Sequence, residues 1–152
     1  MADSLDAGRI AIETYVLASW TATPLGLDGQ PFTVTAPSVR MTIIDGAAMQ
    51  YSIGSTINLI ANMGMLAIQL FTDGSLGSSS WRTYAESLLT LFHGKTLDAT
   101  GALVTAPSQV TLVRFSPPEA GANCHPYIAN VTPGTPFRMT NINCPFVRYQ
   151  RR

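Results

Sequence analysis

Residues 47–62, Ala-Ala-Met-Gln-Tyr-Ser-Ile-Gly-Ser-Thr-Ile-Asn-Leu-Ile-Ala-Asn, run for sixteen positions without a charge. A stretch this long and this apolar is too long for a simple turn. The segment before it, residues 38–45, alternates Val39, Met41 and Ile43 with Arg40 and Thr42, the pattern of a half-buried strand. The segment after it, residues 64–72, is rich in Met, Leu, Ile and Phe and reads as a central strand. Two strands joined through an uncharged run predict a long hairpin, with Gly54-Ser55 at its tip. Asp45-Gly46 and Asp73-Gly74 are read as turn signals at the ends of the two strands.

A hairpin with apolar residues on both faces is hard to satisfy on one copy, and exposed edges and patches of this kind usually pair with another chain. Met49, Tyr51, Ile53, Ile57, Leu59 and Ile60 are therefore expected to contact a neighbouring subunit or another protein. The competing expectation is that they pack on the chain's own core, since buried strands also lack charge.

Two helices frame this region. Residues 4–20 carry Ile12, Val16 and Trp20 at intervals of four, an Arg9–Glu13 pair at i,i+4, and Ser4 or Asp6 as caps; Thr-Pro24 ends the pattern. Residues 80–93 place Trp81, Tyr84, Ala85, Leu88, Leu89, Leu91 and Phe92 on one broad apolar face, with serines before it and Gly94 behind it as caps. Short strand-like runs follow at 101–105, 109–116, 127–132 and 137–149, broken by Pro117-Pro118 and by Pro133-Gly134-Thr135-Pro136. These elements predict a single α+β domain over residues 1–152. It has an antiparallel or mixed sheet, a long hairpin and two main helices packed against it, and it closes in a short basic tail at 150–152.

Charge is sparse. Charged residues make up 12% of the 152, 9 basic and 9 acidic, while Ser and Thr number 29. Soluble domains average about 25% charged residues, so the surface is built mainly of hydroxyls and apolar groups. Zero net charge disfavours a strongly basic nucleic-acid binder, and 46% hydrophobic residues exclude a disordered chain. No run approaches the roughly 18 apolar residues of a membrane span. Residues 1–9 carry two acids where a signal peptide wants positive charge, which predicts a chain made and kept in the cytoplasm. Along the sequence the charges divide: residues 1–98 hold four basic and eight acidic groups, residues 99–152 five arginines against Glu119 alone. The two readings of that asymmetry are a solubilising tail and a dipolar subunit whose basic end, with Arg138, Arg148, Arg151 and Arg152, meets an acidic neighbour.

Catalytic patterns are weak. Gly94-Lys95-Thr96 resembles the end of a phosphate-binding loop, but position 89 is Leu where that loop needs its first glycine, and the tripeptide closes a helix. Cys124, His125 and Cys144 with His93 invite a zinc reading, yet lack a close-spaced pair on each arm. Cys–His nucleophilic chemistry has no orienting acid nearby in the sequence. The expectation is a chain with no catalytic residues, no cofactor and no metal.

The order of helix, Thr-Pro turn, Pro31-Phe32 and Val39-Arg40-Met41-Thr42-Ile43 resembles the tail terminator (tail completion) proteins of long-tailed bacteriophages. So do the middle block Gly64-Met-Leu-Ala-Ile68-Gln69-Leu70-Phe71, the Gly74/Gly77 loop, and the helix with Ala85, Leu88 and Phe92. The closing Cys144-Pro145-Phe146-Val147-Arg148-Tyr149 is similar to the family's Pro-Phe strand ending. The chain departs from the family in the proline-rich segment 116–136 and after Tyr149. The resemblance implies a non-enzymatic virion protein, assembled in the host cytoplasm and placed at the head–tail junction. It implies a homo-hexameric ring that caps the finished tube of major tail tube protein, stops its polymerisation and offers a docking surface to the head connector or stopper protein. It further implies that DNA passes through the lumen without being read by sequence, with no membrane involved. The alternatives are another ring component of the same particle, a tail tube subunit or head–tail stopper, and a small cytoplasmic ligand-binding domain.

Overall fold

The fold is built on two fifteen-residue strands lying side by side. In a computed structural model that describes residues 5–50, 59–75, 77–105 and 111–151, β3 (Leu59–Asp73) and β7 (Phe137–Arg151) pair antiparallel along their whole length, from Leu59 opposite Arg151 to Asp73 opposite Phe137. At about 3.4 Å per residue the ribbon is roughly 50 Å long, well beyond a usual strand. β2 (Ser38–Gln50) pairs antiparallel with β3, and the two-residue β1 (Leu25–Gly26) lies parallel to β2 at Val39 and Arg40. On the other side β7 carries two neighbours. β6 (Tyr127–Thr132) pairs with its first half, and β5 (Val113–Phe115), followed by β4 (Thr96–Leu97), with its second. The sheet is thus mixed, in the order β1-β2-β3-β7-β5-β4 with β6 also on β7.

Helices α1 (Leu5–Ser19) and α2 (Ser78–Phe92) cover one face. The i,i+4 apolar stripes point where the sequence pattern predicts. Ala11, Ile12, Tyr15 and Val16 of α1 and Trp81, Ala85, Leu88 and Phe92 of α2 are buried against Val39, Met41, Leu66, Ile68, Leu70, Ile142, Cys144 and Phe146 of the sheet. A chain of rings joins the layers: Tyr15 to Phe92 at 6.1 Å, Phe92 to Phe115 at 5.0 Å, Phe115 to Phe146 at 6.0 Å. Such tilted and edge-on contacts add to the area term. The Tyr15 hydroxyl donates to the Leu91 carbonyl at 2.7 Å, tying α1 to the last turn of α2. Arg9 bonds Asp6 and Glu13, each at 2.7 Å, which includes the expected i,i+4 pair.

Several local expectations need correction. Asp45-Gly46 does not turn the chain: β2 runs on to Gln50, and the register slips by one residue between Asp45 and Ala48. The extra residue is absorbed as a bulge, and Gly46 suits it because a side chain there would sit 3.0 Å from the Met63 carbonyl oxygen. The hairpin exists, as Gln50 opposite Ile60 shows, while Gly54-Ser55 lies outside the described residues. The serines before α2 do not cap it with their side chains; its N-cap is Gly77. Gly94 does follow the helix in the left-handed conformation (φ 64°), with its N–H donating to Ser116 Oγ at 2.9 Å. The run at 101–105 forms only a single bridge, Leu103 to Leu97, and strand pairing begins earlier, at Thr96. Most consequentially, Gln150 and Arg151 are not a loose tail: they are the last rungs of β7, opposite Ile60 and Leu59.

Gly64 marks the tightest fit in the sheet. It lies opposite Phe146, and a Cβ on Gly64 would come within 2.4 Å of the Phe146 ring. Because Phe146 is buried and bounded by Phe115, the ring has little freedom to retreat. Gly64→Ala is expected to destabilise the fold by about 1–3 kcal/mol, read as a lowered Tm in thermal unfolding. Gly77→Ala, with open space around its Cβ, should cost only the smaller penalty of an alanine at a helix N-cap.

Candidate functional site

The side of the sheet away from the helices, and the outer part of β2, form one candidate surface. From Ile44 onward every described residue of β2 is exposed. Ile44 is 51% exposed and Met49 44%, with Tyr127 of β6 at 38%; Ile128, also 38% exposed, lies opposite the core residue Ile142 and so faces the helix side. Ile44, Met63, Met65, Tyr127 and Pro145 line an open groove on this face, and Gly46, Gly64 and Ala120 complete it. Register explains the grouping: Ile44 lies opposite Met65, and Met65 opposite Pro145, so the three side chains form one row across three strands.

The six apolar residues expected at an interface divide as follows. Met49 is exposed at the outer end of β2, opposite the buried Ala61. Leu59 and Ile60 begin β3 and are half-buried. Tyr51, Ile53 and Ile57 lie outside the described residues.

The four arginines do not form one group. Arg138 is opposite Thr72 near one end of the β3–β7 ribbon, while Arg148 and Arg151 lie towards the other, roughly 34 Å of strand further on. Arg151 is opposite Leu59, and Arg152 lies outside the described residues. Arg148, expected to be a surface charge, is only 2% exposed. Its aliphatic stem packs over Gly8 of α1, where a Cβ would sit 2.4 Å from Arg148 Cδ, and its guanidinium lies 3.4 Å from Gln150 Oε1. At Arg148 the charge asymmetry of the sequence is therefore not carried into space. Arg148, from the basic portion, lines a pocket of about 270 Å³ with Asp6, Asp28 and Asp45 from the acidic one. Sequence reading missed this cluster because its members come from α1, a loop, β2 and β7. No spacing along the chain signals them.

Cysteine and histidine positions bear on the zinc reading. Cys144 is fully buried in β7, and desolvation pushes its thiol well above the ordinary value, so the thiolate needed for ligation or attack is suppressed. His93 and His125 stack face to face, centroids 4.5 Å apart, and Cys124 is partly exposed. Among the described residues no group of three or more His, Cys, Asp or Glu side chains is placed to hold a metal ion. A broad groove beside His125 is lined by Gly94, Thr96, Thr111, Arg114, Phe115, Ser116 and Tyr149, without Cys124. Lys95 and Thr96 lead into β4 instead of opening a helix, so the phosphate-loop geometry is not formed. Among the described residues, no helix is long and apolar enough to cross a membrane.

No protein-family model matches the chain, and no curated protein matches it. A solved structure is similar over 95% of this chain and 95% of its own, with a TM-score of 0.63 at 18% sequence identity. A likeness at that identity shows the fold, an α+β domain with two helices on a curled mixed sheet, and carries no function.

Two measurements check this geometry. In a helix interior Gly→Ala normally gains about 1 kcal/mol; Gly8→Ala should instead lose stability, because Arg148 occupies the space, and should regain the helical benefit in an Arg148→Ala background. A double-mutant cycle in denaturant reads the reversal of sign. In native protein a thiol reagent should label Cys124 quickly and Cys144 only after unfolding.

Proposed function

We propose that this chain is a structural ring subunit of a long-tailed bacteriophage, a tail terminator. It caps the completed tail tube, halts its polymerisation and presents a surface to the head connector or stopper. The observation that carries the reading is the outer hairpin: residues 44–49 of β2 stand exposed with Ile44 and Met49 uncovered, on an element that an isolated subunit has no reason to extend. The motifs resembling the terminator family add support. They fall on the elements that build the sheet and its helices: β2, the inner part of β3, α2 and the end of β7.

In this role the subunits form a hexamer, the exposed hairpin contacts a neighbouring subunit or the tube, and DNA crosses the lumen without sequence readout. A chain with zero net charge and a single lysine suits such a channel, since each neutralised phosphate would add affinity and so friction. The groups that would hold a substrate or cofactor have no part in this function. The rival role within the same particle, a tube subunit, differs in one observable: a tube protein polymerises without limit, whereas a terminator stops at one ring.

Met49→Lys places a charge at an exposed position and is expected to leave the monomer's Tm within about 1 kcal/mol of wild type. In a phage whose own copy is deleted, it should yield tails of abnormal length and tails without heads. Electron microscopy of the lysate counts both. Normal particles from the Met49→Lys chain, or long tubes formed by the purified wild-type protein, would remove the terminator reading.

A further inference from the structure

The four-stranded part of the sheet has two open edges, and they lie on opposite sides. On one side, β1 covers β2 only at Val39 and Arg40, and Asp28 Oδ1 accepts from the Ile43 N–H at 3.4 Å. Beyond that point, among the described residues, no strand lies along the outer edge of residues 44–49. On the other side, β6 pairs with β7 by one edge, and no described strand lies along its other edge. Edge strands normally guard such positions with lysines, prolines within the strand or other charges. β6 reads Tyr-Ile-Ala-Asn-Val-Thr with no charge at all, and residues 44–49 hold Asp45 alone. Among the described residues, Ile44, Met49, Tyr127 and Ile128 are four of the eight exposed large hydrophobic side chains, and all four lie on these two edge strands.

We infer that copies of this chain join edge to edge and head to tail, the outer edge of β2 in one copy lying beside the outer edge of β6 in the next. Strand directions fit. β2, β3, β7 and β6 alternate, so β6 runs opposite to β2, and a copy related by a simple rotation about a ring axis presents its β2 antiparallel to the first copy's β6. The sheet then continues from subunit to subunit with its antiparallel order unbroken.

The pairing is staggered. Across β7 and β3, β6 lies level with residues 38–42, which β1 partly occupies, so the neighbour's residues 44–49 reach β6 only by a shift of about six residues, roughly 20 Å. A stagger of this sign at every joint tilts the strands against the ring axis, the condition for a sheet to close. Because the two edges differ, the contact is heterologous. It closes into a ring or opens into a filament, and never stops at a symmetric dimer. The copy number of six rests on the terminator reading; the pairing of edges does not.

The test uses the full chain with Cys124→Ser, leaving the buried Cys144 in place. Single variants Met49→Cys and Tyr127→Cys are purified separately, checked for wild-type Tm, then oxidised in air alone and mixed. The expected result is a disulfide-linked dimer only in the mixture, and a ladder of multimers from the Met49→Cys, Tyr127→Cys double variant on a non-reducing gel. If Tyr127→Cys fails to fold, the pair Ile44→Cys and Thr132→Cys, on the same face at the other end of the contact, replaces it. A dimer from Met49→Cys alone would show two β2 edges meeting and overturn the inference. A chain that stays monomeric, with no cross-link in any mixture, would overturn it too. The outcomes separate from the terminator reading: six-membered rings on tail tubes without the cross-link leave that reading standing and remove the edges. The cross-link in open filaments does the reverse.

Discussion

Everything in this molecule hangs on the fifteen-residue pairing of β3 with β7. A ribbon this long fixes register by repetition, since a one-residue slip would move every core residue of β3 to the opposite face. Leu66, Ile68 and Leu70 on β3 and Ile142, Cys144 and Phe146 on β7 all point to the helices, and none of them is more than 2% exposed. The ribbon brings together positions that are about 80 residues apart, so its closure must be compensated by many contacts made at once. The ring chain Tyr15, Phe92, Phe115 and Phe146 performs that coupling, linking α1, α2, β5 and β7 through one continuous set of contacts. Gly64 is the concession that lets Phe146 lie flat against the ribbon.

The same ribbon explains the uneven exposure of the sheet. The helices cover one face, and α1 reaches only part of the ribbon's length. Towards the hairpin end, β2 therefore extends past the layer that would bury it. Arg148 and its pocket occupy the boundary: an arginine beside Asp6, Asp28 and Asp45 marks where the apolar core stops and a polar, partly enclosed zone begins. Beyond that zone lie Met49, Leu59 and Ile60. Only β2 is left uncovered there: Ala61 of β3 and residues 144–148 of β7 stay buried, while β2 is exposed from Ile44 to Gln50.

Acidic surface turns add a smaller, separable contribution. Asp98 accepts from the Thr100 hydroxyl at 2.6 Å and from the backbone N–H groups of Thr100 and Ala102, and the Thr100 hydroxyl foremost holds its carboxyl below the ordinary value of 3.8. Its stabilisation is present above that value and is lost as the pH falls through the lower native one. Asp73 behaves alike through the Ser75 hydroxyl. Both lie at half-buried turn positions at the edge of the fold, so neither governs it.

Local pattern was enough for the two helices, the hairpin strands, β6 and the α+β class, because periodicity of 3.6 or 2 records which face of an element is buried. It was enough, too, for the uncharged outer hairpin, since a lack of charge is a property of the residues themselves. Local pattern misread Asp45-Gly46, whose turn propensity was overridden once Met63 stood opposite and the strand had a partner to continue along. It also misread the final residues. A basic, polar ending looks like a free tail until β3 supplies an edge for it to pair with. Arg148 could not be placed from sequence at all. Its burial depends on the absence of a side chain at Gly8, 140 positions earlier, and its acidic surroundings on α1, a loop and β2 converging there. Which residues are apolar was decided by the chain alone, whereas which of them remain uncovered, and which edges stay open, was decided only by how far the helices reach along the ribbon.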